Sequence, residues 1–139
     1  DLNNFQSILN ACAKTVTKAK RYDSAPEQLK TLHWLPIVQR SKYKCLLFCH
    51  KLAHNDSNLP QYFKEHDTNI KVPSRITRSS SGILLHSLFR PKLMSTSSRC
   101  FQSCGVDLWN KLPIHIRNIK SYSSFKKHIK TILFTEFYC

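Results

Sequence analysis

At 139 residues, with 41% hydrophobic and 11% aromatic content, the chain is long enough for one cored domain or two small lobes and too apolar for a disordered tail. No apolar run approaches the roughly 20 residues of a membrane-spanning helix and no signal-like segment opens it, so a soluble, intracellular chain with no membrane partner is expected. Lys and Arg number 22 against 8 Asp and Glu, and the resulting charge of +14 points to polyanions as partners.

From Leu2 to about Lys20, the residues Leu2, Phe5, Ile8, Leu9, Cys12, Ala13 and Val16 recur at helical spacing and share one face, with Lys14, Lys18 and Arg21 nearly opposite. Ser24-Ala25-Pro26-Glu27 reads as a capping box with proline in the first turn of a short helix to about His33. Pro36 suits the first turn of a long helix to about His54, with Ile37, Val38, Cys45, Phe48, Cys49 and Leu52 as its core stripe and Arg40, Lys44 and Lys51 on a flank. Tyr43 falls toward the exposed side of that helix with Leu47 and His50, a patch suited to docking on another domain or to stacking a base. A short helix is expected after Pro60.

The middle changes in kind. Asp67 to Ser81 is polar, contains Pro73 and leads into Ser79-Ser80-Ser81-Gly82, the pattern of an exposed basic linker. Ile83 to Phe89 and Lys92 to Met94 predict a small hairpin across Arg90-Pro91, where proline forbids a central-strand role. From about Ser98 to Lys111 the pattern is helical again, with Cys100, Phe101, Cys104, Leu108 and Leu112 on one face and Trp109 at its border; Pro113 ends this helix or opens a short turn of another. A last helix, about Tyr122 to Phe137, points Tyr122, Phe125, Ile129, Ile132 and Leu133 inward and Lys126, Lys127 and Lys130 outward. The fold class is therefore mainly α, a helical bundle with a small irregular or β-hairpin insertion around residues 83–94. Trp34 and Trp109, each beside leucine and shortly before proline, are expected to plug helix junctions and not to stack bases.

Chemistry is sparse. Cys45, Cys49, His50 and His54 have a tempting C-x3-C-H-x3-H spacing, but on one helix the cysteines point roughly 140° away from the histidines and cannot share a tetrahedral ion with them. The cysteines read as small core hydrophobes. There are no adjacent carboxylates to hold a polymerase's divalent metals, and with glycine only at Gly82 and Gly105 no phosphate-cradling loop can form. No catalytic residue, metal, cofactor or small-molecule substrate is expected. Between Thr68 and Thr135 the one carboxylate is Asp107, against Lys71, Arg75, Arg78, Arg90, Lys92, Arg99, Lys111, Arg117, Lys120, Lys126, Lys127 and Lys130. Such a field draws phosphate backbones, because neutralising them releases condensed counterions.

Four phrases carry a family likeness: Phe5-Gln6-Ser7-Ile8-Leu9-Asn10-Ala11-Cys12-Ala13; Leu32-His33-Trp34-Leu35-Pro36-Ile37 followed by Arg40; Leu108-Trp109-Asn110-Lys111-Leu112-Pro113; and Ser123-Ser124-Phe125-Lys126 with Ile129-Lys130 and Leu133-Phe134. In order and separation they resemble the region downstream of the palm in LINE-type, non-LTR retrotransposon reverse transcriptases. The resemblance implies a thumb-like helical region over 1–55, a basic linker with a short helix over 56–82 and a carboxy-terminal extension over 83–139. It also implies a piece of a longer polymerase, in keeping with a start at Asp1 and a single methionine, Met94. The implied partners are RNA and DNA, held nonspecifically by their backbones, and the palm of the parent chain, with the nucleus as a location at some stage. Lys14, Lys18, Arg21, Arg40, Lys44, Lys51, Lys126, Lys127 and Lys130 are the implied backbone contacts. The palm's Asp-Asp signature does not occur, which leaves polymerase activity to the parent, and the zinc-knuckle spacing of some family tails is missing. The alternative is a free-standing, degenerate or co-opted basic protein that binds nucleic acid nonspecifically or a protein partner.

Overall fold

The computed structural model describes residues 2–54, 56, 59–60, 70–71, 83–87 and 101–138. It is mainly helical, as the periodicity predicts: α1 (Leu2–Thr17), α2 (Ala25–Thr31), α3 (Ile37–Ala53), α4 (Phe101–Asn110), α5 (Ile114–Arg117) and α6 (Tyr122–Tyr138), with two-residue strands β1 (Ile70–Lys71) and β2 (His86–Ser87). The chain divides into two compact units, Asp1–Tyr43 with Ile129–Cys139 and Lys44–His128. The boundaries thus fall within α3 and α6. The helix expected after Pro60 lies outside the described residues.

In the first unit α1 packs on α2, burying Ala13 (0% exposed) and Leu29 (2%). The inward side of α1 runs along Gln6, Asn10, Ala13 and Thr17, whereas Leu2, Phe5, Ile8 and Val16 are 56–61% exposed. The expected apolar face of α1 is thus corrected: a small residue flanked by hydrogen-bonding ones meets its neighbours, because close approach and capping decide which side turns in. Gln6 shows the reason. Its Oε1 accepts the Ile37 N–H at 2.9 Å while its Nε2 donates to Asn10 Oδ1 at 2.7 Å, so α1 satisfies an orphan donor at the start of α3.

Both early helices end by the same device. Lys18 has φ +53°, its N–H bonds Thr15 O at 3.3 Å, and the Ala19 N–H bonds Lys14 O at 2.9 Å. His33 has φ +52°, with its N–H on Lys30 O at 3.0 Å and the Trp34 N–H on Leu29 O at 2.9 Å. These are Schellman terminations, each with a left-handed residue just past the last turn. They stop α1 at Thr17 and α2 at Thr31, short of Lys20 and His33. The capping box at Ser24 is corrected as well: Ser24 occupies the cap position, but its hydroxyl makes no capping bond, and Pro26 presets the first turn instead. Ile129 (0%) and Leu133 (5%) of α6 are buried in this unit, and the Tyr138 hydroxyl donates to Trp34 O at 3.0 Å.

The second unit, in which Leu85, Leu46 and Cys49 are buried, is centred on Trp109, which is fully buried with its ring beside that of Phe125. This corrects its expected border position: Gly105, Val106 and Trp109 form the inward side of α4, leaving Phe101, Cys104, Leu108 and Leu112 half-buried. The Trp109 indole donates to Ile83 O at 2.8 Å, and the Asn110 amide closes two bonds with Leu85, Nδ2 to O at 2.9 Å and N–H to Oδ1 at 3.1 Å. On α3, Leu46, Leu47, Cys49 and His50 turn inward and Val38 is 52% exposed, while Cys45, Phe48 and Leu52 are half-buried. The expected exposed patch of Tyr43, Leu47 and His50 is therefore overturned, since Leu47 is 6% and His50 2% exposed. Tyr122, expected inward, is exposed.

Pro113 opens α5, one of the two outcomes its position allows. β2 pairs antiparallel with β1, Ile70 opposite Ser87 and Lys71 opposite His86. Two residues of the expected linker therefore act as a strand, and the expected return limb Lys92–Met94 lies outside the described residues.

Two outcomes follow from these bonds. Lys18→Gly relieves the left-handed backbone and should stabilise the chain by about 1 kcal/mol in a thermal or urea melt, with Lys18→Ala close to the parent. Asn110→Ala strands both Leu85 backbone groups and should destabilise by about 2 kcal/mol in the same melt.

Candidate nucleic-acid interface

The second unit gathers cationic and aromatic groups where α3 meets the connector between α5 and α6. His50 Nε2 donates to Ile119 O at 2.7 Å and His54 Nε2 to Arg117 O at 3.2 Å; a carbonyl only accepts, so both rings carry hydrogen on Nε2. The two rings lie 4.4 Å apart, and His50 also stacks on Phe125 at 4.2 Å. His50 on α3 and His54 just past its end thus hold carbonyls at and just beyond the end of the short α5. Burial pushes the His50 pKa below the ordinary histidine value, and the neighbouring His54 adds to this; the Ile119 carbonyl and Asp56 act in the opposite sense.

Against this edge lies a cleft of about 490 Å³ lined by His50, Lys51, His54, Asp56, Lys120 and Tyr122. Lys51 Nζ sits 5.1 Å from the centre of the Tyr122 ring, within cation–π range. Two lysines and an exposed aromatic beside two imidazoles suit a phosphate with an adjoining flat group. The cysteines serve another neighbour, Cys49 Sγ donating to Gly105 O at 3.4 Å. The C-x3-C-H-x3-H string is thereby split between two surroundings. Among the described residues, no group of three or more His, Cys, Asp or Glu side chains is placed to hold a metal ion.

The predicted basic contacts fall in both units. In the first, Lys18, Arg21, Arg40 and Lys130 are exposed and Lys14 is half-buried. Lys14 Nζ donates to Arg21 O at 2.8 Å, so it also fastens the turn after α1. Lys130 borders a groove of about 360 Å³ with His33, Thr131 and Phe134. In the second unit Lys44, Lys126 and Lys127 are exposed and Lys51 lines the cleft. Along α6 the lysines stand out from a buried Phe125, Ile129 and Leu133, the amphipathic arrangement its pattern predicts. Lys120 is the residue that sequence reasoning passed over. It lies between helices, where periodicity carries no signal.

No protein-family model, no curated protein and no solved structure matches this chain. Among the described residues no helix is long and apolar enough to cross a membrane.

Because the fold favours neutral His50, the unfolded chain takes up this proton first as pH falls. The stabilisation is therefore complete above the ordinary histidine value of about 6.5 and is lost as pH drops through it toward the lower folded value. His50→Gln, which keeps a donor and cannot titrate, should flatten the fall in Tm between about pH 7 and pH 5 relative to the parent chain.

Proposed function

We propose that this chain is the non-catalytic, carboxy-terminal part of an RNA-directed DNA polymerase of the non-LTR retrotransposon type, and that it holds template RNA and nascent cDNA by their backbones. The observation that carries this is the placement of charge. Twelve basic residues accompany Asp107 between Thr68 and Thr135, and Lys126, Lys127 and Lys130 stand exposed on a helix whose other side is buried. A polymerase advancing one nucleotide at a time over any template needs grips that ignore the bases, and ammonium groups on rigid helices provide them. The Lys51 and Lys120 cleft adds a grip on the connector before α6. The family likeness of the Trp-Pro phrases supplies the polymerase context, with chemistry left to the parent's palm and a nuclear stage wherever the product enters chromosomal DNA.

A second reading is favoured by one observation. The exposed Leu2, Phe5, Ile8 and Val16 of α1 are of no use to a phosphate backbone and suit a protein partner. In the polymerase reading that partner is the palm; in the alternative, a free-standing co-opted protein, it is unrelated to copying. The genomic frame upstream of Asp1 separates them, since an in-frame palm with paired Asp residues supports the first and an unrelated exon sinks it.

For binding itself, affinity of the full chain for an RNA–DNA hybrid should fall steeply between 50 and 200 mM salt. Changing Lys126, Lys127 and Lys130 together to alanine should reduce the slope of log K against log salt by about 2 to 3. Salt-independent binding, or none at low salt, rejects the phosphate grip.

A further inference from the structure

Three thiols converge within the second unit. Cys45 and Cys49 lie one turn apart on α3, and Cys104 precedes Gly105 on α4. A Cβ on Gly105 would stand 3.2 Å from Cys45 Sγ, 3.2 Å from Cys49 Sγ and 3.0 Å from Phe101 Cε2, so the bare glycine backbone lets α4 settle directly on the two sulfurs. The same approach brings Cys104 to Cys45, whose thiol is in hydrogen-bonding contact with both Cys49 and Cys104. Exposure then separates their roles: Cys49 is fully buried, whereas Cys45 and Cys104 are partly open to solvent.

We propose that Cys45 and Cys104 form an oxidant-sensitive thiol pair that closes to a reversible disulfide between α3 and α4. The environment assigns the order of events. The neighbouring Cys49 thiol lowers the Cys45 pKa most; burial opposes this, and Cys104 lowers it further. Cys49 is driven up, first by that same pairing and then by burial, and so stays protonated with its hydrogen on Gly105 O.

The Cys45 thiolate attacks the outer oxygen of a hydroperoxide. An S–O bond forms, the O–O bond breaks, and the departing alkoxide or hydroxide takes a proton to leave as alcohol or water. Cys104 then attacks the Cys45 sulfenic sulfur. The S–S bond forms, the S–O bond breaks, and hydroxide leaves with the Cys104 proton as water. Two thiols have lost two electrons and two protons, and the peroxide has been reduced. An external thiol reopens the bridge.

Exposed Cys12 provides an internal reference. The full chain is treated with limiting hydrogen peroxide at neutral pH and digested without reductant for mass spectrometry. A Cys45–Cys104 linked peptide that dithiothreitol removes is expected. In Cys104→Ser, dimedone should trap Cys45 sulfenic acid severalfold faster than it traps Cys12, because the Cys45 thiol pKa is lowered by its neighbours. A bridge joining any other pair, no bridge at all, or Cys45 reacting no faster than Cys12 overturns the proposal, and the first two results are read on the unaltered chain, so a folding defect in the variant cannot mask them.

Discussion

The backbone of Ile83–Leu85 precedes a strand only two residues long, and its polar groups lie against an apolar core where an unpaired carbonyl or N–H is costly. Side chains of the Trp109-Asn110 pair supply the missing partners. The indole takes the Ile83 carbonyl and the amide takes both groups of Leu85, as a neighbouring strand would. Arg117 reaches the same Ile83 carbonyl at 3.4 Å. With that segment held, Leu85 is buried, Phe125 packs against Trp109 at 5.7 Å, and His50 stacks on Phe125. The cleft at Lys51 and Lys120 and the thiol cluster at Gly105 are both built on elements that this core positions.

The other Trp-containing phrase works by different means. In Leu32-His33-Trp34-Leu35-Pro36 the left-handed turn falls at His33, Leu35 and Pro36 are buried, and the Trp34 carbonyl receives the Tyr138 hydroxyl. Trp34 itself is half-buried. Two phrases that look alike as letters thus act through unlike parts, one through its aromatic ring and amide and the other through backbone conformation.

Among the described residues, helix type and approximate length were legible because apolar spacing and proline positions act locally. Rotation about each helix axis was less so. On α1 the larger apolar residues lost the inward side to Gln6, Asn10, Ala13 and Thr17, since a cap for Ile37 and a close approach mattered more than side-chain area. On α3 a histidine entered the core because its ring could stack on Phe125 while Nε2 found the Ile119 carbonyl, a partner 69 residues away. Outward lysines on α6 were readable from its strong buried stripe. Lys120 was not, and neither was the pairing of Ile70–Lys71 with His86–Ser87, which depends on contacts that no local pattern records.

Gly105 is set by its neighbours' volume; backbone angle plays no part, for it lies inside a helix. Alanine or serine there would press on Phe101 as well as on Cys45 and Cys49, and relief would have to come from those three side chains. Positions 45, 49, 101 and 105 therefore behave as one steric sum. In any lineage of this sequence, a side chain gained at 105 should be matched by one shortened at 45, 49 or 101, a covariation written in size with no reference to charge or hydropathy.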